Sequence, residues 1–239
     1  MSRISAIFKK EFKGYFNSLM AYFFIVVFLG VVNFLFIWFI LFPSKQASLR
    51  EYFEFFIYGL WIFVPAITMR SWAEERKLKT DELLLTLPVR DYEAVLGKYF
   101  ASLAFLGLVL VLSAMAPITV ALVGSPDWSP IFAGYLGLFL LGASFAAIGT
   151  AISSMTENQF IAFLVTVVIC VGLLAIEELG AMLPLPDFLV YLITFLDVGH
   201  HFNSIGRGVI DSRDVIYYLS VIVFFLFLNV RAVERRKWA

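Results

Sequence analysis

Charge-free apolar runs alternate with short polar stretches along this chain, at 14–44, 55–69, 99–126, 128–156, 158–176 and 215–230. A helix rises about 1.5 Å per residue and must satisfy its own backbone where lipid surrounds it, so about 20 apolar residues cross a bilayer core. The pattern predicts six membrane spans, with cores near 19–42, 52–69, 100–123, 131–153, 160–176 and 215–233. The second and sixth are short. They lengthen if Glu54 sits among headgroups and Arg231 snorkels. One apolar piece, 188–196, is nine residues between Asp187 and Asp197 and cannot span. It predicts a re-entrant helix between spans five and six, shielded by protein. Ahead of the first span, Ile4, Phe8, Phe12 and Phe16 recur at intervals of four, with Arg3, Lys10 and Lys13 elsewhere on the wheel. That is the pattern of an amphipathic helix lying in the membrane interface.

Composition agrees with the pattern. Hydrophobic residues are 62% of the chain and charged ones 15%, with mean hydropathy +0.91, against roughly 45–50% and ~25% in soluble domains. An all-α integral membrane protein is expected, with residues 1–239 forming one transmembrane domain. Acids and bases balance at 18 each, so nothing points to a nucleic acid partner, and lipid is the natural surrounding. Placement of charge is more telling than its sum. Six spans put fourteen Lys and Arg on one side and only Lys45, Arg50, Arg207 and Arg213 on the other. The excess marks the cytoplasmic side, so both termini are expected there. The first apolar run exceeds a signal peptide's core and no cleavage site follows it, so it is expected to stay as an anchor. Cys170 is the only cysteine, which excludes an intrachain disulfide.

Enzyme chemistry finds little support. Val95 to Tyr99 reads VLGKY, a Gly-Lys without the upstream glycine or the following Ser/Thr of a phosphate loop, so no cofactor site and no ATPase are expected in this chain. Glu177 and Glu178, with His200 and His201, invite a metallopeptidase reading and resemble the paired residues of CAAX-type intramembrane proteases. Yet Met182 stands where that family has Arg, and adjacent histidines on a helix point about 100° apart. No metal is expected, and these residues are read as hydrated groups at the outer interface.

The stretch 69–99 is different: it holds twelve of the 36 formal charges in 31 residues. Within it, Thr80 suits a helix N-cap, Asp81 and Glu82 complement the positive end of the dipole, and Pro88 bars continuation. Leu83, Leu84, Leu85 and Leu87 carry more apolar surface than a two-turn helix buries on itself. They need a groove to sit in.

EERKLKTDELLLTLPVRDYEAVLGKY resembles the signature of ABC-2-type transporter permeases, E-E-R-x-x-G-T-x-E-L-L-L-x-x-P followed by a Gly-Lys entering the third span. YFNSLMAYFF, PAITMRSWAEER, SSMTENQ and the C-terminal stretch from His201 to Trp238 are similar to the permeases of the gliding-motility type. Lys79 departs from the pattern, standing where the family commonly has Gly before Thr80, and bears on the turn there.

The resemblance implies a permease subunit rather than an enzyme. Thr80, Asp81, Glu82, Leu83, Leu84, Leu85 and Leu87 would form a cytoplasmic coupling helix docked on a separate ATP-binding subunit, which holds the ATP and Mg. Glu74, Glu75 and Arg76 would be its stem. Thr156, Glu157 and Asn158 in the other inner loop are a possible secondary contact, with Thr156 read as the cap of the fifth span. A second permease copy or homologue would complete an exporter working by alternating access in a bacterial or archaeal inner membrane. A membrane anchor for a cytoplasmic ATPase, without transport, is the alternative. Pro65 and Pro117 are expected to kink their helices.

Overall fold

The computed structural model describes residues 3–44, 48–80, 89–181 and 186–236. Among them the regular structure is helical throughout. Helix α1 is Arg3–Phe16 and α2 is Leu19–Leu35, which continues through a π-helical turn at Phe36–Leu41 and the short Phe42–Ser44. Then come α3 (Arg50–Thr68), α4 (Arg70–Lys77), α5 (Asp91–Leu112) and α6 (Met115–Val123). The rest are α7 (Trp128–Met155), α8 (Gln159–Ala181), α9 (Asp187–Leu196), α10 (Val198–Gly206) and α11 (Ser212–Arg236). Six helical stretches are long and apolar enough to cross a membrane, as the hydropathy pattern predicts: Ala21–Leu41, Arg50–Lys77, Asp91–Val123, Trp128–Met155, Gln159–Ile176 and Ser212–Arg235.

Span four is the axis of the bundle. In its apolar core 72% of the residues are buried, against 17–22% in the cores of spans one, five and six. The sequence of α7 explains its place, because Gly142, Ala143, Ser144, Ala146, Ala147, Gly149 and Ala151 let neighbouring backbones come close. A Cβ at Gly149 would overlap the Thr68 hydroxyl of α3, so only glycine permits that approach. Phe28, Phe56, Phe63, Phe105 and Phe145 fill the main core around this axis. A separate small core of Ile7, Trp72, Ala94, Val95 and Val233 closes the end of the bundle that carries the basic residues.

The two prolines sit differently in their helices. Pro65 lies inside α3, and the helix is interrupted only at Met69, whose N–H still reaches the Pro65 carbonyl at 2.9 Å. The third span breaks ahead of Pro117, between α5 and α6, so the proline occupies the first turn of α6, where a missing N–H costs little. Without a proline N–H to receive, the Ser113 carbonyl accepts instead from the Ala116 N–H at 3.0 Å and from the hydroxyls of Tyr135 at 3.1 Å and Tyr52 at 3.4 Å. This satisfies a buried backbone group that lipid would leave unpaired.

Candidate functional site

The charged stretch enters and leaves at the basic end of the bundle. Residues 81–88, which hold the Asp81, Glu82, Leu83, Leu84, Leu85 and Leu87 of the expected coupling helix, lie outside the described residues. Both of its flanks are described. The stem, α4, is nearly continuous with α3 but is keyed across the break by Ser153 of α7. The Ser153 Oγ accepts from the N–H groups of Trp72 (3.0 Å) and Ala73 (3.1 Å) and donates to the Met69 carbonyl (2.9 Å). A side chain inserted into a helical ladder in this way bends it and ties the two helices at that point.

The stem ends on a left-handed residue. Lys79 has φ +55°, its N–H donates to the Arg76 carbonyl at 3.0 Å, and the Thr80 N–H donates to the Glu75 carbonyl at 2.9 Å. These two bonds are a Schellman termination, whose left-handed position glycine fills at no steric cost. The departure at Lys79 therefore keeps the turn and accepts the strain. Thr80 is exposed, and its hydroxyl donates to the Glu75 carbonyl at 3.3 Å, which closes the stem.

On the far flank, Val89 packs against the small core and α5 begins at Asp91. The Arg90 N–H donates to the Glu93 carboxylate at 2.8 Å, and Asp91 and Glu93 complement the helix dipole.

Lys98 joins the flanks. It is 1% exposed, and its ammonium lies 2.9 Å from the Glu75 carboxylate, 3.1 Å from that of Glu11 and 2.7 Å from the Ser71 carbonyl. The fully buried Trp72 ring receives the same cation at 4.8 Å from its centroid. Lys10 completes an alternating chain of charges, 3.1 Å from Glu75 and 3.6 Å from Glu11. Burial lowers the Lys10 pKa, but Glu75 and then Glu11 outweigh it and hold the pKa above the usual lysine value. The two acids and two bases neutralise one another, which is what allows Lys98 to be buried.

Helix α1 is part of this hub. Its inward face carries Ile7, Glu11 and Tyr15, and a Cβ at Gly97 of α5 would collide with Ile7. Tyr15 hydrogen-bonds Ser102 at 2.9 Å and stacks on Phe105, and burial pushes its phenol up to about 12. Phe8, Phe12 and Phe16 form a half-buried ladder along the helix, with ring centroids 5.6 and 5.2 Å apart. Sequence reasoning marked that ladder and missed Glu11. The available signal was a lone acid among the lysines of α1 paired with a lysine at the mouth of an apolar span.

The second inner loop meets the stem. Arg76 lies 3.8 Å from Glu157, and its guanidinium donates to the Ser154 carbonyl at 3.5 Å. Two of the expected partner-contacting stretches are therefore adjacent, while Glu74 lies beside Glu75 on the stem without an ion pair among the described residues. Thr156 does not cap α8. Asn158 does, its Oδ1 accepting from the N–H groups of Phe160 (2.9 Å) and Ile161 (3.4 Å). Thr156 lies too far upstream to reach those amides, and its hydroxyl accepts the Asn158 N–H at 3.2 Å.

At the opposite end, His201 and Asp214 are buried, and the expectation of a hydrated outer group fails for His201. His201 lies 2.7 Å from Asp214 through Nδ1 and 3.1 Å from the Phe195 carbonyl through Nε2, and it stacks on Tyr217. This pair ties α10 to α11. His200 lines a separate cavity with Glu54 and Glu178, and the Glu177 side chain is outside the described part. Among the described residues no three His, Cys, Asp or Glu side chains gather as a metal site.

A bundle with six helical stretches long and apolar enough to cross a membrane defines a multi-pass membrane protein, with a charged hub at the base of one inter-span segment. The chain belongs to the ABC-2 family of transporter proteins, whose family model matches residues 41–230. No curated protein matches it. It is therefore a membrane component of an ABC-type transporter.

Proposed function

We propose that this chain is the permease half of an exporter, pairing with a second copy or homologue and driven by a separate ATP-binding subunit that docks on Thr80, Asp81, Glu82, Leu83, Leu84, Leu85 and Leu87. The basic end is the cytoplasmic face, with both termini there, in a bacterial or archaeal inner membrane. Helix α1 lies in the inner interface with its phenylalanine ladder toward lipid, and α9 forms the re-entrant region between spans five and six.

The observation that carries this reading is the hub. Lys98 binds Glu75 of the stem and Glu11 of α1, so the two flanks of segment 81–88 and the interfacial helix are one rigid unit. Closure of the ATP-binding subunits would displace this unit against span four through Ser153 and tilt spans two and three. Glu157, joined to the stem through Arg76, extends the docking surface together with Thr156 and Asn158. Covalent chemistry, with its ATP and Mg, belongs to the partner.

Leu84→Asp with Leu85→Asp places charge against an apolar groove, a cost of several kcal/mol unless relieved, on the order of what abolishes docking. The test is co-purification of an ATP-hydrolysing subunit, with Arg207→Ala and Arg213→Ala at the other end as the control. The leucine variant is expected to insert normally and lose the subunit, and the control to keep it. An unchanged yield with the leucine variant would sink the assignment. Retained docking without vectorial substrate movement in reconstituted vesicles would leave the anchor reading instead.

A further inference from the structure

At the basic end, the stem, the end of α7 and the last turns of α11 enclose an open groove of about 760 Å³. Arg76, Arg231 and Arg235 stand on its rim with Glu234 as the acid among them, while Met155 and Phe227 give it an apolar floor. We propose that this groove binds the phosphodiester headgroup of an anionic phospholipid from the adjoining leaflet, with an acyl chain against Phe227 and Met155.

Three features select that occupant. Guanidinium groups hold phosphate oxygens in forked pairs, and basic pockets between membrane helices at the cytoplasmic side suit anionic headgroups. The floor is open on its apolar side, with Phe227 of span six 54% and Met155 at the end of span four 51% exposed, so a ligand with an acyl chain fits better than a free phosphate. The arginines are also available at little cost. Arg231 is paired to Glu234 at 3.2 Å but is itself 62% exposed, where such pairs contribute little, and it lies over the Phe227 ring at 5.2 Å. Arg76 is more enclosed, 18% exposed and held by Glu157 at 3.8 Å and the Ser154 carbonyl at 3.5 Å, so Arg231 and Arg235 supply the exposed guanidinium groups. The inference needs the basic end to lie at a membrane surface and does not depend on the ATP-binding subunit.

The test is lipid retention by the purified full chain, read by native mass spectrometry in detergent titrated with phosphatidylglycerol, cardiolipin or phosphatidylcholine. The wild type is expected to retain both anionic lipids over phosphatidylcholine and to release neither to excess glycerol 3-phosphate. Each arginine near an anionic surface contributes about fivefold, so Arg231→Gln with Arg235→Gln should weaken retention about 25-fold. Both side chains are exposed, so the variant keeps its packing. Arg231→Lys with Arg235→Lys should hold most of the lipid, and Arg207→Gln with Arg213→Gln all of it. Equal retention of phosphatidylcholine, displacement by glycerol 3-phosphate, or unaltered retention in the glutamine variant would each overturn the proposal. So would a glutamine variant that loses a protein partner while keeping its lipid.

Discussion

Replacing Lys98 with Met keeps the volume and removes the charge that joins α1, the stem and the third span. The lysine is buried to 1% exposure and contacts two carboxylates and a backbone carbonyl within 3.1 Å. Removing one member of a buried ion pair costs about 3–5 kcal/mol, because the remaining charge stays buried without compensation. Glu11 and Glu75 are 21% and 17% exposed and keep Lys10, itself 65% exposed and so a weak substitute. That places the expected loss near the lower end, about 3 kcal/mol, or about 6–12 °C in Tm for a chain of this size. Thermal unfolding in nanodiscs measures it, and a cycle with Glu75→Gln isolates the pair. The double variant should lose about 1–2 kcal/mol less than the sum of the single losses. A Lys98→Met protein within about 0.5 kcal/mol of wild type, or strict additivity in the cycle, would refute the hub as a structural tie.

Three further substitutions test its surroundings. Ser153→Ala deprives two N–H groups and one carbonyl of their partner and should cost about 1–2 kcal/mol by thermal unfolding, since the α3–α4 ladder can partly reform; no loss would mean that the serine does not key the stem. Lys79→Gly relieves a left-handed residue and should stabilise by up to about 1 kcal/mol, whereas a destabilised variant would contradict the Schellman turn. Tyr135→Phe removes one of three donors to the Ser113 carbonyl, which keeps the Ala116 N–H, and should cost about 0.5–1 kcal/mol, more when combined with Tyr52→Phe; an unchanged double variant would contradict a role for these hydroxyls at the third-span break.

The spans were legible because lipid imposes one simple demand, a long apolar run, and the runs stand out in this chain. The break at Pro117 was legible from the proline, but the Tyr52 and Tyr135 hydroxyls that reach the Ser113 carbonyl from other helices were not. Ser153 reads as one more small polar residue until it meets Trp72, 81 positions away. Glu11 and Lys98 were visible as charges beside apolar stretches, yet only packing brings residues 87 apart together. His201 misled in the same way, because a hydropathy profile gives it a place near an interface and says nothing of its pairing with Asp214. The turn at Lys79 was legible only as a departure from a family pattern, and its backbone angle explains why that position favours glycine.

Segment 81–88, which links the stem to the third span in sequence, is the proposed surface on which an ATP-binding subunit acts. A photo-reactive amino acid introduced at Leu84, irradiated in native membranes, tests it directly, with the same probe at Arg207 for comparison. The account predicts a cross-linked adduct carrying an ATP-hydrolysing subunit from position 84 and none from position 207. No such adduct from position 84, or equal adducts from both, would contradict it.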